Sequence, residues 1–131
     1  MTDEQILIEL ARRVHGWHIA PADDRQAWFD DDANYPCYDP RTRAVGEKPR
    51  GTPWRDWSPL IDWNDAMGLA EKWIDSPAGD WYELERLPGH GYYAYMFPSD
   101  DGPVFYSAVD PSGPRAVTMA VARAVGIEVE G

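Results

Sequence analysis

Apolar positions near the start of the chain recur at helical spacing, and polar residues separate them. The apolar residues of this first segment are Ile6, Leu7, Leu10, Ala11 and Val14. Thr2 and Gln5 have the spacing of a capping box, and Gly16 is a natural helix stop. The pattern therefore predicts an amphipathic helix that ends before Gly16, with Trp17 in contact with its last turn.

A second helical pattern follows near the middle of the chain. Trp63, Ala66, Ala70 and Trp73 fall on one side of a helix, with Ser58 or Asp62 as its cap. Gly68 lies inside this pattern, at a cost of about 1 kcal/mol relative to alanine. We therefore expect another element to pack closely against Gly68. The segment "SPAG" at 76–79 ends this helix.

Three short segments after residue 79 have the composition of strands. They are "DWYELERL", "YYAYMF" and "VFYSAV", and the turn sequences "PGHG" and "PSDDG" separate them. This order predicts a three-stranded antiparallel meander. A final helix should run from a cap at Ser112 to a stop at Gly126, with a narrow stripe of small residues that lets it lie close to the sheet.

Residues 18–60 form an aromatic, proline-rich connecting region with little periodicity. Within it, "QAWF" and "YPCY" are candidates for short strands or extended pieces. Trp57 precedes the second helix, where we expect it to pack on the first turn, and Trp54 is the better candidate for exposed recognition. The whole pattern predicts an α+β fold: one compact domain over residues 1–131, with about three helices and a short antiparallel sheet of three or more strands.

Composition supports a globular chain rich in aromatic residues. The length of 131 residues suits one domain, and seven Trp and seven Tyr can compensate for few long aliphatic side chains. No run approaches 18 apolar residues, the start lacks the order of a signal peptide, and Cys37 is the single cysteine. We therefore expect a cytoplasmic protein that does not enter a membrane.

The charge is strongly negative and unevenly distributed. The formal net charge is −11, yet residues 41–55 hold five bases and one acid. An acidic surface repels phosphates, so direct nucleic-acid binding is not expected, whereas a basic protein could be attracted. The candidate partner-binding acids are Asp30, Asp31, Asp32, Glu83, Glu85, Asp100 and Asp101. The basic stretch offers an alternative, a site for a phosphate-bearing ligand, with candidate residues Arg41, Arg43, Arg50, Trp54 and Arg55.

Residue types that could support metal or catalytic chemistry occur, but not in a convincing arrangement. His15, His18, Cys37 and His90 could form a zinc set, yet Gly16 interrupts the helix between the first two. Runs of aspartate could bind magnesium but are typical of solvated loops. Glu83 and Glu85 share one face of a strand, as a general acid and base would, and as exposed residues commonly do. We therefore expect no catalytic residues, no metal and no cofactor.

The order of motifs resembles a family of small bacteriophage proteins, the phage ABA-sandwich domain family. The resemblance covers most of the chain except roughly residues 20–50, and Trp63 and Arg115 depart from the pattern. The matching positions are Gly16, Trp17, Ser58, Pro59, Asp62, Ala66, Pro114, Ala116, Val117 and Arg123. The resemblance implies a phage or prophage origin and helices packed on a sheet. It transfers no catalytic site.

Three non-enzymatic functional hypotheses come before an enzyme, which is the fourth and least favoured. The favoured one is a phage-encoded binding protein in the host cytoplasm, whose acidic surface inhibits a host defence or nucleic-acid-processing protein. The second is a protein that sequesters a small ligand such as a nucleotide, through the basic stretch and Trp54. The third is a structural or assembly protein of the phage, and stable homo-oligomers would favour it.

Overall fold

The computed structural model of the chain describes residues 1–20, 35–48, 55–99 and 104–129. Within these ranges it contains three helices, a four-stranded sheet and a three-stranded sheet. The predicted α+β class and the three helices are thus confirmed. The chain divides into two compact units, Thr2–Trp57 and Ser58–Gly131. The prediction of a single domain stays a prediction.

The first unit begins with helix α1, Asp3–Arg13, which has the predicted capping box. The Gln5 backbone N–H donates to the Thr2 hydroxyl, and the Gln5 side chain accepts from the Thr2 N–H. Gly16 then adopts a left-handed conformation with φ of +69°, and the Trp17 N–H donates to the Ala11 carbonyl at 3.0 Å. The predicted helix and its glycine stop are confirmed.

A four-stranded sheet completes the first unit, in the order β1-β2-β3-β4. Its strands are β1 (His18–Ile19), β2 (Tyr35–Asp39), β3 (Ala44–Lys48) and β4 (Arg55–Asp56). β1 runs parallel to β2, and the other neighbours are antiparallel. The segment "YPCY" is therefore a strand, while "QAWF" lies outside the described residues. The sequence pattern offered only these two short segments as candidate strands of residues 18–60 and did not predict the four-stranded sheet.

Trp57 lies among aromatic rings of the first unit. Its side chain is 1% exposed, and its ring centroid lies 5.1 Å from that of Trp17 and 5.2 Å from that of Tyr38. His15 stacks on Trp17 and also meets the edge of Trp57. Trp57 is therefore buried, but its ring neighbours come from β2 and the residues after α1, and the predicted packing on the first turn of the second helix stays a prediction. The helix proposed as its partner belongs to the other unit.

The second unit contains the predicted meander between two helices. Its elements are α2 (Trp63–Ile74), β5 (Gly79–Leu87), β6 (Gly91–Pro98), β7 (Tyr106–Asp110) and α3 (Gly113–Ala124). The three strands pair antiparallel in the order β5-β6-β7. The "PGHG" turn joins β5 to β6 as predicted, and the centre of the "PSDDG" turn lies outside the described residues.

Helix α2 begins at the second of its two predicted caps. The Asp62 carboxylate accepts from the Asp65 N–H, and Ala66 and Trp73 are buried as the pattern requires. Trp63 departs from the predicted stripe: it is 41% exposed and lies over the backbone of Gly113. The expectation for Gly68 was also wrong, because no atom lies within 4 Å of the position a Cβ would take there.

Helix α3 is buried over far more of its surface than a narrow stripe. Nine of its twelve residues are buried, and it packs against β6, β7 and α2. The buried Thr118 hydroxyl donates to the Pro59 carbonyl at 2.8 Å, which satisfies it inside the unit. Gly126, with φ of +84°, follows the helix as predicted. Across the described residues, every helix is too short or too polar to cross a membrane.

Candidate functional site

The two faces of the β5–β7 sheet are built from different residues. One face is covered by α3 and α2 and carries the buried side chains of Ala94, Met96 and Ala108. Alternate residues along each strand point to the other side. This second side, which we call the open face, consists of Trp81, Glu83, Glu85, Tyr93, Tyr95, Phe97, Ser107 and Val109, with Phe105 just before β7.

A row of stacked rings runs along the centre of the open face. The ring centroids of Tyr93 and Tyr95 lie 4.3 Å apart at an interplanar angle of 12°, and Phe97 continues the row at 6.3 Å from Tyr95. Phe105 lies 5.8 Å from both Tyr95 and Phe97. These rings are half-buried or exposed, so the row as a whole is accessible to a binding partner.

Two carboxylates border the row of rings on β5. Glu83 lies opposite Tyr95 in the strand register, and Glu85 lies opposite Tyr93. The Tyr95 hydroxyl donates to Glu85 Oε2 at 3.3 Å. Partial burial and, next, the charge of Glu85 raise the pKa of Tyr95 above its ordinary value. The negative charge of Glu85 therefore favours the neutral form of the Tyr95 hydroxyl.

The open face suits a cation better than an anion. Within the described strands it holds no lysine or arginine, because Arg86 alternates to the opposite side of β5. Aromatic faces attract guanidinium and ammonium groups, and carboxylates accept hydrogen bonds from them. Sheets that stack nucleic-acid bases on aromatic rings also need cations for the phosphates. The charge of this face therefore favours a basic protein.

A groove adjoins the open face where α2 ends beside β5. This groove, which we call the α2–β5 groove, is open to solvent, has a volume of about 370 Å³ and is lined by Glu71, Ile74, Asp75, Trp81 and Tyr82. The rings of Trp81 and Tyr82 have centroids 6.1 Å apart at an interplanar angle of 25°. Burial and then the charge of Glu71 raise the pKa of Tyr82.

Of the predicted partner-binding acids, Glu83 and Glu85 lie together on the open face. The remaining five lie outside the described residues: Asp30, Asp31, Asp32, Asp100 and Asp101. Sequence reasoning missed the role of Tyr93, Tyr95 and Phe97, although their alternation with Ala94 and Met96 already placed them on one face. The missing information was which face the helices cover.

The alternative basic site is only partly described. Arg41 Nε lies 3.9 Å from the Asp39 carboxylate, which also accepts from the Arg41 N–H. Arg43 has a left-handed backbone with φ of 53°, and its carbonyl accepts from the Trp57 N–H. Arg55 lies in β4, next to β3. The structure thus brings these three arginines near the β2–β3 turn, while Arg50 and Trp54 lie outside its described part.

The candidate zinc ligands are divided between the two units. His15, His18 and Cys37 belong to the first unit, and His90 lies in the β5–β6 turn of the second. Cys37 is fully buried beside the Gly46 carbonyl. Over residues 1–20, 35–48, 55–99 and 104–129, no three His, Cys, Asp or Glu side chains are grouped as metal ligands.

Comparison with known proteins leaves the site to be interpreted from its own chemistry. No protein-family model, no curated protein and no solved structure matches the chain.

Proposed function

We propose that this chain is a non-catalytic binding protein of phage or prophage origin that engages a basic surface of a host protein through the open face. One observation carries the proposal: a continuous row of stacked rings bordered by Glu83 and Glu85, with no basic side chain on the described part of the face. The phage origin rests on the resemblance of the motifs. The expected place of action is the host cytoplasm.

The proposed contact combines two kinds of interaction. The rings supply apolar area and cation–π attraction to an arginine, and Glu83 and Glu85 supply charge-assisted hydrogen bonds. The surrounding surface adds long-range attraction, because residues 56–131 hold thirteen acids and four bases. A protein that occupies a basic, phosphate-binding groove in this way would exclude the nucleic acid and so inhibit its owner.

Affinity capture followed by reconstitution tests the proposal. The tagged chain is incubated with bacterial lysate, washed at about 0.1 M and about 1 M salt, and each captured protein is purified for a direct titration. The test variant is Glu83→Gln with Glu85→Gln. The matched control is Glu4→Gln with Glu128→Gln, which removes two exposed charges outside the sheet.

The expected result is 1:1 binding of a basic protein that weakens steeply with salt. The open-face variant should bind about three- to tenfold more weakly than the control, as expected when two partly exposed ion pairs are removed. Equal binding by both variants, binding that survives high salt, or failure of the purified protein to bind would each overturn the proposal.

A further inference from the structure

We propose that the α2–β5 groove, which shares only Trp81 with the open face, is a second site for one organic cation, an alkylguanidinium or alkylammonium group. This inference does not depend on the function proposed for the open face, because small cations can test it without any protein partner. The groove has a volume of about 370 Å³, which lies at the lower end of the range typical of small-molecule pockets.

The walls of the groove have the chemistry of a cation receptor. Trp81 and Tyr82 provide two rings, and indole is the strongest cation–π acceptor among the side chains. Trp81 is 56% exposed even though it is the largest side chain of β5. An exposed indole at the rim of a concave, acidic site is well placed to cover an alkyl cation.

The two carboxylates of the groove are placed against the ordinary preferences of a helix. Glu71 and Asp75 lie four residues apart in and just after the last turn of α2, so two like charges face the same side. Both also lie at the negative end of the helix dipole. Neither forms an ion pair with a described residue. A bound cation would offset the repulsion between the two carboxylates and their unfavourable interaction with the helix dipole. The two acids would therefore stabilise the complex.

The same walls disfavour other occupants. A neutral ligand would leave the two carboxylates without compensation, and an anion would meet them directly. A divalent metal prefers six or more oxygen ligands at short distance. Three of the five lining side chains are instead aliphatic or aromatic, namely Ile74, Trp81 and Tyr82. An organic cation with an apolar body satisfies the rings and the acids together.

The test follows the indole N–H resonances of the protein by two-dimensional NMR. Choline and n-butylguanidinium are the cationic probes, and neohexanol is the neutral isostere of choline. Trp81→Leu assigns the relevant resonance. We expect a saturable shift of the Trp81 signal with the cations, and almost none with neohexanol.

Two variants distinguish binding in the groove from attraction of the cation to the negative charge of the whole protein. Glu71→Gln with Asp75→Asn should weaken cation binding by about threefold or more, while Asp80→Asn, a neighbouring exposed acid outside the lining, should leave it nearly unchanged. The double variant should unfold at the same or a higher temperature, because it removes a like-charge pair. Thermal unfolding of the variant measured beside the titration therefore separates a loss of binding from a loss of fold.

The outcomes distinguish this site from the open face. Equal shifts with neohexanol, unchanged affinity in the groove variant, no shift with either cation, or tighter binding of Mg²⁺ than of the cations would overturn the proposal. None of these results touches the role of Glu83 and Glu85, which do not line the groove. Displacement of a captured protein by n-butylguanidinium would identify the cation as a partner's side chain. Simultaneous binding would identify it as a free molecule.

Discussion

The two faces of the β5–β7 sheet share one backbone and differ in what lies over them. The face under α3 carries small or flexible apolar residues, Ala94, Met96 and Ala108, all nearly inaccessible to solvent. The open face carries large rings and carboxylates, among them Tyr95 and Glu85. The small residues at the centre of the covered face let α3 lie close to the sheet, and Tyr82, Tyr92 and Tyr106 lie around them on the same side. None of the described helices covers the rings of the open face. One strand pattern thus encodes a core and a candidate binding surface.

This comparison implies that stability and binding can be changed independently. A residue at one position of β6 contributes to the core, and its neighbour contributes to the open face. Truncation on the covered side should destabilise the fold, whereas removal of charge on the other side should affect partners instead.

The largest effect is expected for Met96→Ala on the covered face. Met96 is fully buried, so its truncation leaves a cavity and should lower the free energy of unfolding by about 2–4 kcal/mol. Val109→Ala is the matched control on the open face, since Val109 is 52% exposed and its truncation should cost less than about 1 kcal/mol. Urea denaturation measures both. Equal losses would contradict the assignment of the two faces.

The turn between β5 and β6 fixes the register that separates the faces. Gly91 has φ of +93°, and a Cβ there would meet the Asp110 carbonyl at 2.5 Å. Gly89 has φ of +81° with open space around it. Gly91→Ala combines strain with a clash and should cost about 2–3 kcal/mol, whereas Gly89→Ala should cost only about 1 kcal/mol.

Thermal unfolding of both glycine variants, compared with the wild type, checks this difference. A similar loss at the two positions would mean that left-handed strain alone matters. In that case the close approach of β7 to the turn would not help to determine the register.

Much of the second unit could be predicted from periodicity and turn residues. The meander follows from three aromatic segments with turns between them, and α3 follows from Ser112, Pro114 and Gly126 at its ends. Trp63 could not be placed, because helical spacing gives a side of the helix but not what covers it. Its ring lies over Gly113, a residue fifty positions later, and only the tertiary fold brings the two together.

The four-stranded sheet was harder to predict because its strands are short. β1 and β4 have two residues each, and no alternation can be read from so few positions. In the turn after β2 the Asp39 carboxylate accepts a hydrogen bond from the Arg41 N–H. The candidate site had the same limitation: Glu83 and Glu85 could be named, but the open face depends on where α3 packs.

A small effect on stability is expected for the charges of the open face. Glu83→Gln with Glu85→Gln should change the free energy of unfolding by less than about 0.5 kcal/mol, because both side chains are exposed. The same variant is expected to weaken partner binding. Urea denaturation beside the Met96→Ala variant gives the contrast directly. A loss comparable to that of Met96→Ala would show that these acids support the fold, and would remove the separation between the faces.

The smallest predicted effect is a change in the ionisation of Tyr95. Partial burial and the Glu85 carboxylate raise the pKa of Tyr95. The carboxylate accepts a hydrogen bond from the Tyr95 hydroxyl at 3.3 Å. Because the folded-state pKa lies above the unfolded one, this tyrosine adds stability below pH of about 10, and the contribution is lost as the pH rises through the folded-state pKa. Glu85→Gln removes a negative charge and the carboxylate acceptor, so it should lower the pKa of Tyr95, and the remaining burial should keep it above the ordinary value.

Tyrosinate absorbance during an alkaline titration measures this change, with Tyr95→Phe identifying the contribution of Tyr95. Glu83→Gln is the matched control: Glu83 lies directly opposite Tyr95, yet it makes the smallest contribution to the shift. It should therefore move the pKa less than Glu85→Gln does. If the two variants acted equally, the general negative charge of the open face would explain the shift. The specific contact between Tyr95 and Glu85 would then have no part in ordering the rings for a cation.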